Sequence, residues 1–128
     1  MRFRILFISG CPDDARRLSQ LLHSLPLDLD YAANLQHACN LLDSNAYQVI
    51  LTEAELSDGT WLDALEIAAR SADQMPVIVT DPQADARLWS EVLNRGGYDL
   101  LTQPFYAPEV RRILGNAVSR GFSMAAAV

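Results

Sequence analysis

The sequence predicts an α/β domain: a (βα)5 three-layer sandwich with one parallel five-stranded sheet between helices. Three observations carry that expectation. Five short, β-rich apolar runs alternate with five amphipathic stretches along the whole length, and such alternation builds a parallel sheet through right-handed crossovers. The run Val49-Ile50-Leu51 is apolar without interruption, the pattern of a strand covered on both faces. A chain of 128 residues makes one domain, and folding at this size buries roughly two-thirds of the unfolded surface in one core.

Phe3 to Ile8 reads as the first strand. Pro12-Asp13-Asp14 opens a helix, with proline in the first turn and acids at the positive end of the helix dipole. Ala15, Leu18, Leu21, Leu22 and Leu25 follow helical spacing, and Pro26 ends the segment. Leu27 to Tyr31 alternates as a second strand. Asn34 caps a helix running to about Ser44, with Ala38, Leu41 and Leu42 inward. Tyr47 to Thr52 is the third strand. Ser57-Asp58-Gly59 signals a turn, and a helix follows from about Thr60 to Arg70. Pro76 to Thr80 is a fourth strand, broken by Asp81-Pro82. Ala84 to Arg95 is helical, and Gly96-Gly97 stops it. Tyr98 to Leu101 is a short fifth strand. The last helix starts near Ala107-Pro108-Glu109 and fades by Arg120. The domain is therefore expected over 1–120, with 121–128 as a frayed tail.

For five strands in a doubly wound sheet of this size the natural order is 2-1-3-4-5, the flavodoxin-like arrangement, with the site outside the carboxyl ends of the strands. The residues that fall there are Ser9-Gly10-Cys11, Thr52-Glu53-Ala54-Glu55, Thr80-Asp81 and Thr102-Gln103.

Composition narrows the function. The net charge of −6 offers no basic surface for phosphates, so nucleic acid is not an expected partner. No apolar run approaches the roughly 20 residues of a membrane helix. The apolar run Ile5–Ile8 is too short for a signal peptide, so a cytoplasmic chain is expected. Cys11 and Cys39 suggest neither a disulfide framework nor a zinc site, and no cofactor is expected. All ten basic residues are arginine. Any mechanism that needs a lysine is excluded, whether a Schiff base or a lysine that holds a phosphoryl group.

Four segments occur in one order. They are Ile5-Leu6-Phe7-Ile8 followed by Pro12-Asp13-Asp14-Ala15-Arg16; Tyr47 to Gly59; Pro76-Val77-Ile78-Val79; and Gly96-Gly97-Tyr98-Asp99-Leu100-Leu101-Thr102-Gln103-Pro104-Phe105. Over about residues 3–119 the chain resembles the receiver domain of bacterial response regulators, the phosphorelay modules of two-component systems. The resemblance implies aspartyl phosphorylation: an acidic pair after the first strand holds Mg²⁺, and an aspartate after the third strand takes the phosphoryl group. A hydroxyl after the fourth strand and a lysine after the fifth bind that group. A highly charged transition state needs a hard cation and a fixed positive charge.

At each of these positions the chain departs from the family's pattern. The acidic pair falls on Ser9 and Gly10, and the acceptor on Glu53. The hydroxyl position falls on Asp81, or on Thr80 after a one-residue shift. The lysine is Gln103. No catalytic residue and no metal ligand is expected. Asp13 and Asp14 follow Pro12 inside the first helix and read as dipole partners rather than a displaced metal pair. Glu53 is either polar drift or a crude mimic of a phosphorylated aspartate, with about half its charge. If Asp81 and Glu53 both faced the pocket, two like charges about 5 Å apart at an effective dielectric of 20 would repel by roughly 3 kcal/mol. The other reading has Asp81 capping the next helix.

His23 and His37 lack partner acids at ligand spacing. Cys11 sits near a helix start, which can lower a thiol pKa, though a small structural residue is the plainer reading. Trp61 and Trp89 read either as an exposed aromatic anchor or, for Trp89, as a half-buried helix residue. The resemblance implies an interaction face on the fourth helix, fifth strand and fifth helix, here Leu88, Val92, Phe105, Tyr106, Arg111 and Arg112. It also implies a cis bond from Gln103 to Pro104. The function expected is a phosphorylation-independent, non-enzymatic pseudo-receiver acting by protein–protein contact. Its partners would be a sensor kinase, a downstream target or a second copy of the chain. The alternatives are an active receiver using displaced acids such as Asp13, Asp14, Asp58 or Glu53, and a flavodoxin-type cofactor protein.

Overall fold

The computed structural model describes residues 2–71 and 74–126, with the backbone alone from 120 onward. The elements are β1 (Phe3–Ile8), α1 (Pro12–Leu22), β2 (Leu27–Ala32), α2 (Leu35–Ser44), β3 (Val49–Glu53), β4 (Glu55–Leu56), β5 (Gly59–Thr60), α3 (Trp61–Arg70), β6 (Val77–Asp81), α4 (Ala86–Asn94), β7 (Asp99–Thr102) and α5 (Ala107–Ala126).

The main sheet is parallel, in the order β2-β1-β3-β6-β7. With the small hairpin β4-β5 set aside, this is the expected order 2-1-3-4-5. Strand alternation splits the core into two layers. Ile5, Phe7, Val49, Leu51, Ile78 and Leu101 pack with Leu18, Leu22, Val110 and Leu114 of α1 and α5. Leu6, Ile8, Ile50 and Val77 pack with Ala38 of α2 and with Ala64 and Ala68 of α3. Val79 and Leu100 meet Trp61 and Val92. Each large aliphatic side chain buried this way contributes roughly 1.5–3 kcal/mol relative to exposure. The sheet interior is therefore the main source of stability, and exposed pairs such as Asp13–Arg16 at 3.8 Å add little.

Several boundaries move from their expected places. The first helix ends at Leu22, before Pro26 is reached, because Leu25 N–H closes a turn onto Leu22 O. The fourth helix starts at Ala86 and its N-cap is Asp85, whose carboxylate accepts the Leu88 N–H. This corrects the capping role expected for Asp81. Gly96 has a φ of +98°, a left-handed conformation that closes α4 cheaply only with glycine. The last helix continues past Arg120 to Ala126, where a frayed tail was expected, while residues 127–128 lie outside the described residues. The Gln103–Pro104 bond is cis, as expected.

Trp61 is buried at 6% exposure, whereas Trp89 is 48% exposed, so they do not form one exposed aromatic anchor. Val92 is fully buried and Phe105 packs edge-to-face on Phe7 with ring centroids 6.3 Å apart. Both turn inward, which removes Val92 from the expected interaction face and leaves Phe105 largely a core residue.

Candidate functional site

The carboxyl ends of β1, β3, β6 and β7 bring the expected positions to one end of the sheet. Ser9 follows β1 and is fully buried. Its Oγ accepts the Cys11 N–H at 3.0 Å and donates to the Cys11 carbonyl at 3.3 Å, so the hydroxyl is used in folding the loop onto α1. Its carbonyl accepts the Tyr31 hydroxyl at 2.7 Å. Gly10 is exposed, and its N–H donates to Glu53 Oε1 at 2.8 Å. A Cβ at Gly10 would meet nothing within 4 Å, so glycine is not there for want of space.

Glu53 is half-buried and pairs in register with Thr80. Thr80 is buried, and its Oγ1 donates to the Leu101 carbonyl at 3.0 Å, so it is spoken for within the sheet. Asp81 lies opposite Thr102 at the strand end, and its Oδ2 accepts the Gln83 N–H at 3.3 Å in a local turn. Gln103 follows β7, and its Nε2 is buried without an acceptor. Thr102 and α5 are joined through Glu109 Oε1, which accepts the Thr102 N–H at 3.1 Å and its hydroxyl at 3.2 Å.

Tyr31 belongs to this region and carries no functional signal in the sequence. Tyr31 reads as an ordinary strand residue, yet the register Phe7↔Tyr31 sets it beside the end of β1. Burial pushes its phenol up from the usual value, helped by Cys11 and Glu53 nearby. Asp58, at the tip of the β4-β5 hairpin, accepts the Leu35 N–H at 2.9 Å and the Gln36 N–H at 3.0 Å. These bonds, Leu35's first, hold its carboxyl below the usual range. Asp58 is thus committed to the N-terminus of α2, which weakens the idea of it as a displaced acceptor. Asp13 sits in the first turn of α1 beside Arg16, as its dipole role requires. His23 Nδ1 meets Gln20 O at 3.2 Å, and His37 Nδ1 accepts the Ala33 N–H at 3.1 Å.

The donors at this end do not suit Mg²⁺. A hard cation takes carboxylate and carbonyl oxygens. Here Ser9 Oγ is engaged with Cys11, Gly10 has no side chain, and the Glu53 carboxylate already holds a backbone N–H. Among the described residues no group of three or more His, Cys, Asp or Glu is placed to hold a metal ion. No described helix is long and apolar enough to cross a membrane.

No family model matches the chain. The response regulator protein PilR of Pseudomonas aeruginosa is 26% identical over 117 residues, covering 91% of this chain and 26% of that protein. The chain thus spans about a quarter of this relative's length. The signal receiver domain of an HD domain-containing protein from Pseudomonas fluorescens Pf-5 has a TM-score of 0.85 at 25% identity, covering 96% of this chain and 99% of that one. A signal receiver domain from Vibrio parahaemolyticus shares the fold with a TM-score of 0.90 at 18% identity, over 99% and 98% of the two chains. In fold throughout, and in sequence over most of its length, the chain resembles the receiver domain of two-component response regulators.

Proposed function

We propose that the chain is a receiver-type signalling module that takes no phosphoryl group and acts through a fixed surface offered to protein partners. The observation that carries this reading is the bond from Gly10 N–H to Glu53 Oε1. It fills the acceptor's place with a carboxylate already bound to its own backbone. Gln103 stands where a phosphoryl-binding lysine would, and an amide lacks the fixed positive charge that stabilises phosphoryl transfer. The module is non-enzymatic and works in the cytoplasm. Its partners are a sensor kinase, a downstream target or another copy of the chain.

Two features support this reading over its rivals. Asp58 is bound at the α2 N-terminus and Asp13 lies beside Arg16, so neither is set up as a nucleophile. A flavodoxin-type phosphate site at the start of α1 would face Asp13 and Asp14, which repel an anion there. The test is incubation with Mg²⁺ and a small phosphodonor, and separately with beryllofluoride, read by intact mass and by amide spectra. The expected result is unchanged mass and an unchanged spectrum. A phosphoryl adduct on any acid, or saturable Mg²⁺-dependent shifts around Glu53, overturns the proposal.

A further inference from the structure

The β4-β5 hairpin is anchored at its base and reaches α2 with its tip. At the base the Ala54 N–H donates to Thr80 O at 3.1 Å, and the Trp61 N–H donates to Ala54 O at 3.0 Å. Glu55 pairs with Thr60 and Leu56 with Gly59, and Leu56 packs into the core layer shared by α2 and α3. Thr60 and Asp63 form a capping box that fixes the start of α3. The hairpin is therefore a short, rigid arm growing from the end of the central strand β3. At its tip Asp58 Oδ1 accepts the Leu35 N–H at 2.9 Å, and Oδ2 accepts the Gln36 N–H at 3.0 Å. Gly59 allows this close approach, since a Cβ there would lie 2.5 Å from Leu35 Cδ1.

α2 depends on that arm. A helix leaves its first N–H groups without intrahelical partners. The Asn34 side chain serves the His37 N–H, so the Leu35 and Gln36 N–H groups are satisfied from 23 and 22 residues along the chain. α2 carries no acid in its first turn and no base in its last. Asp43 stands in the last turn instead, at the unfavourable end of the dipole. Of its ten residues only Leu35 and Ala38 are buried, and a helix this short does not hold alone in water.

We infer that the hairpin is a latch and α2 the element it holds. With Asp58 in place, α2 is fixed to the end of β3; with that grip released, α2 opens by itself while the sheet stays folded. Proteins open in such cooperative pieces, and the pieces that open most readily are those with few buried side chains. The inference stands whether or not Glu53 can be phosphorylated.

The test is native-state hydrogen exchange of the full chain in low urea, wild type against Asp58→Ala, followed amide by amide. Asp58 is exposed, so its truncation leaves no cavity. Exchange of the α2 amides 38–42 is expected to quicken about tenfold, in line with the loss of a helix cap. It should depend less on urea than exchange in β1 and β3, whose rates stay as in the wild type. Asp58→Asn keeps one of the two acceptor oxygens and should give a smaller rise in the same amides. It also carries the test should the alanine variant not fold. An equal rise across α2, β1 and β3 overturns the inference, because Asp58 would then act on global stability alone. Unchanged α2 rates overturn it as well.

Discussion

The Glu53 carboxylate accepts the backbone N–H of Gly10 at 2.8 Å, tying the end of β3 to the loop after β1. Two departures from the receiver pattern are thereby linked. An acidic side chain at position 10 would repel a carboxylate at position 53 unless a cation stood between them. Glycine removes that charge, and the longer glutamate reaches the N–H it exposes.

Glu53→Ala should therefore lower stability by about 0.5–1.5 kcal/mol, the net worth of one hydrogen bond whose freed N–H can be rehydrated. Glu53→Gln keeps an acceptor and should cost less. Urea unfolding of the three proteins measures both. Equal losses for the two variants would mean the bond contributes nothing.

Asp58 gives a prediction in pH. Its carboxyl is lowered from the ordinary value of 3.8 chiefly by the Leu35 N–H and then by the Gln36 N–H. A carboxyl depressed in the folded state contributes stability above its unfolded pKa and loses it as pH falls through the folded one. The wild type should thus lose this contribution below about pH 4, and Asp58→Asn should show a shallower acid limb with lower stability at neutral pH. Parallel pH profiles for the two would remove Asp58 from the account.

The alternation of strands and helices was legible because periodicity reports burial directly, and the sheet order followed from strand count. The strand ends were legible for the same reason: Ser9, Glu53 and Gln103 stand where register places them. What the sequence hid was contact across the chain. Nothing near Asp58 says that its carboxylate will cap a helix beginning at Leu35. Asp81 and Asp85 both precede a helical pattern, and only geometry separates the residue that caps α4 from the one that closes a turn on Gln83. The spacing of Trp89 from Val92 and Leu93 does not say what its ring touches. The Trp89 Nε1 donates to Asp99 Oδ1 at 3.1 Å, holding the ring along the surface.

Tyr47 should titrate late. Its hydroxyl donates to Asp30 Oδ2 at 2.6 Å, and the Arg4 guanidinium lies 5.1 Å from its ring centre. Burial first, then Asp30, pushes its pKa up to about 12, with Arg4 pulling the other way. A phenol raised above its unfolded value near 10 adds stability below pH 10. That stability drains as pH rises toward 12. Ultraviolet titration should show a tyrosine with a midpoint near 12 that disappears in Tyr47→Phe. A titration curve that the substitution leaves unchanged in that region would sink the assignment.

The final prediction concerns pairing of the chain with a second copy. On the face of α4, β7 and α5 the exposed apolar groups are Trp89, Leu93 at 40% and Tyr106 at 64% exposure. Leu88 is half-buried beneath them. The acids of this face are partly engaged, Asp99 by Trp89 and Glu109 by Thr102. Arg111 leans the other way, its Nε donating to Leu21 O on α1 at 3.5 Å. An apolar centre with a charged rim suits pairing with a second copy, each patch meeting its own equivalent. If that pairing forms, the aromatic centre should carry most of the binding energy and the rim little. Tyr106→Ala should then weaken dimerisation more than Arg112→Glu, and Arg111→Glu should matter least because that side chain is directed at α1. Sedimentation equilibrium across the micromolar range ranks the three. A wild type that stays monomeric at high micromolar concentration removes the second copy as the partner. An order in which Arg111→Glu outweighs Tyr106→Ala would move the interface to the α1–α5 side.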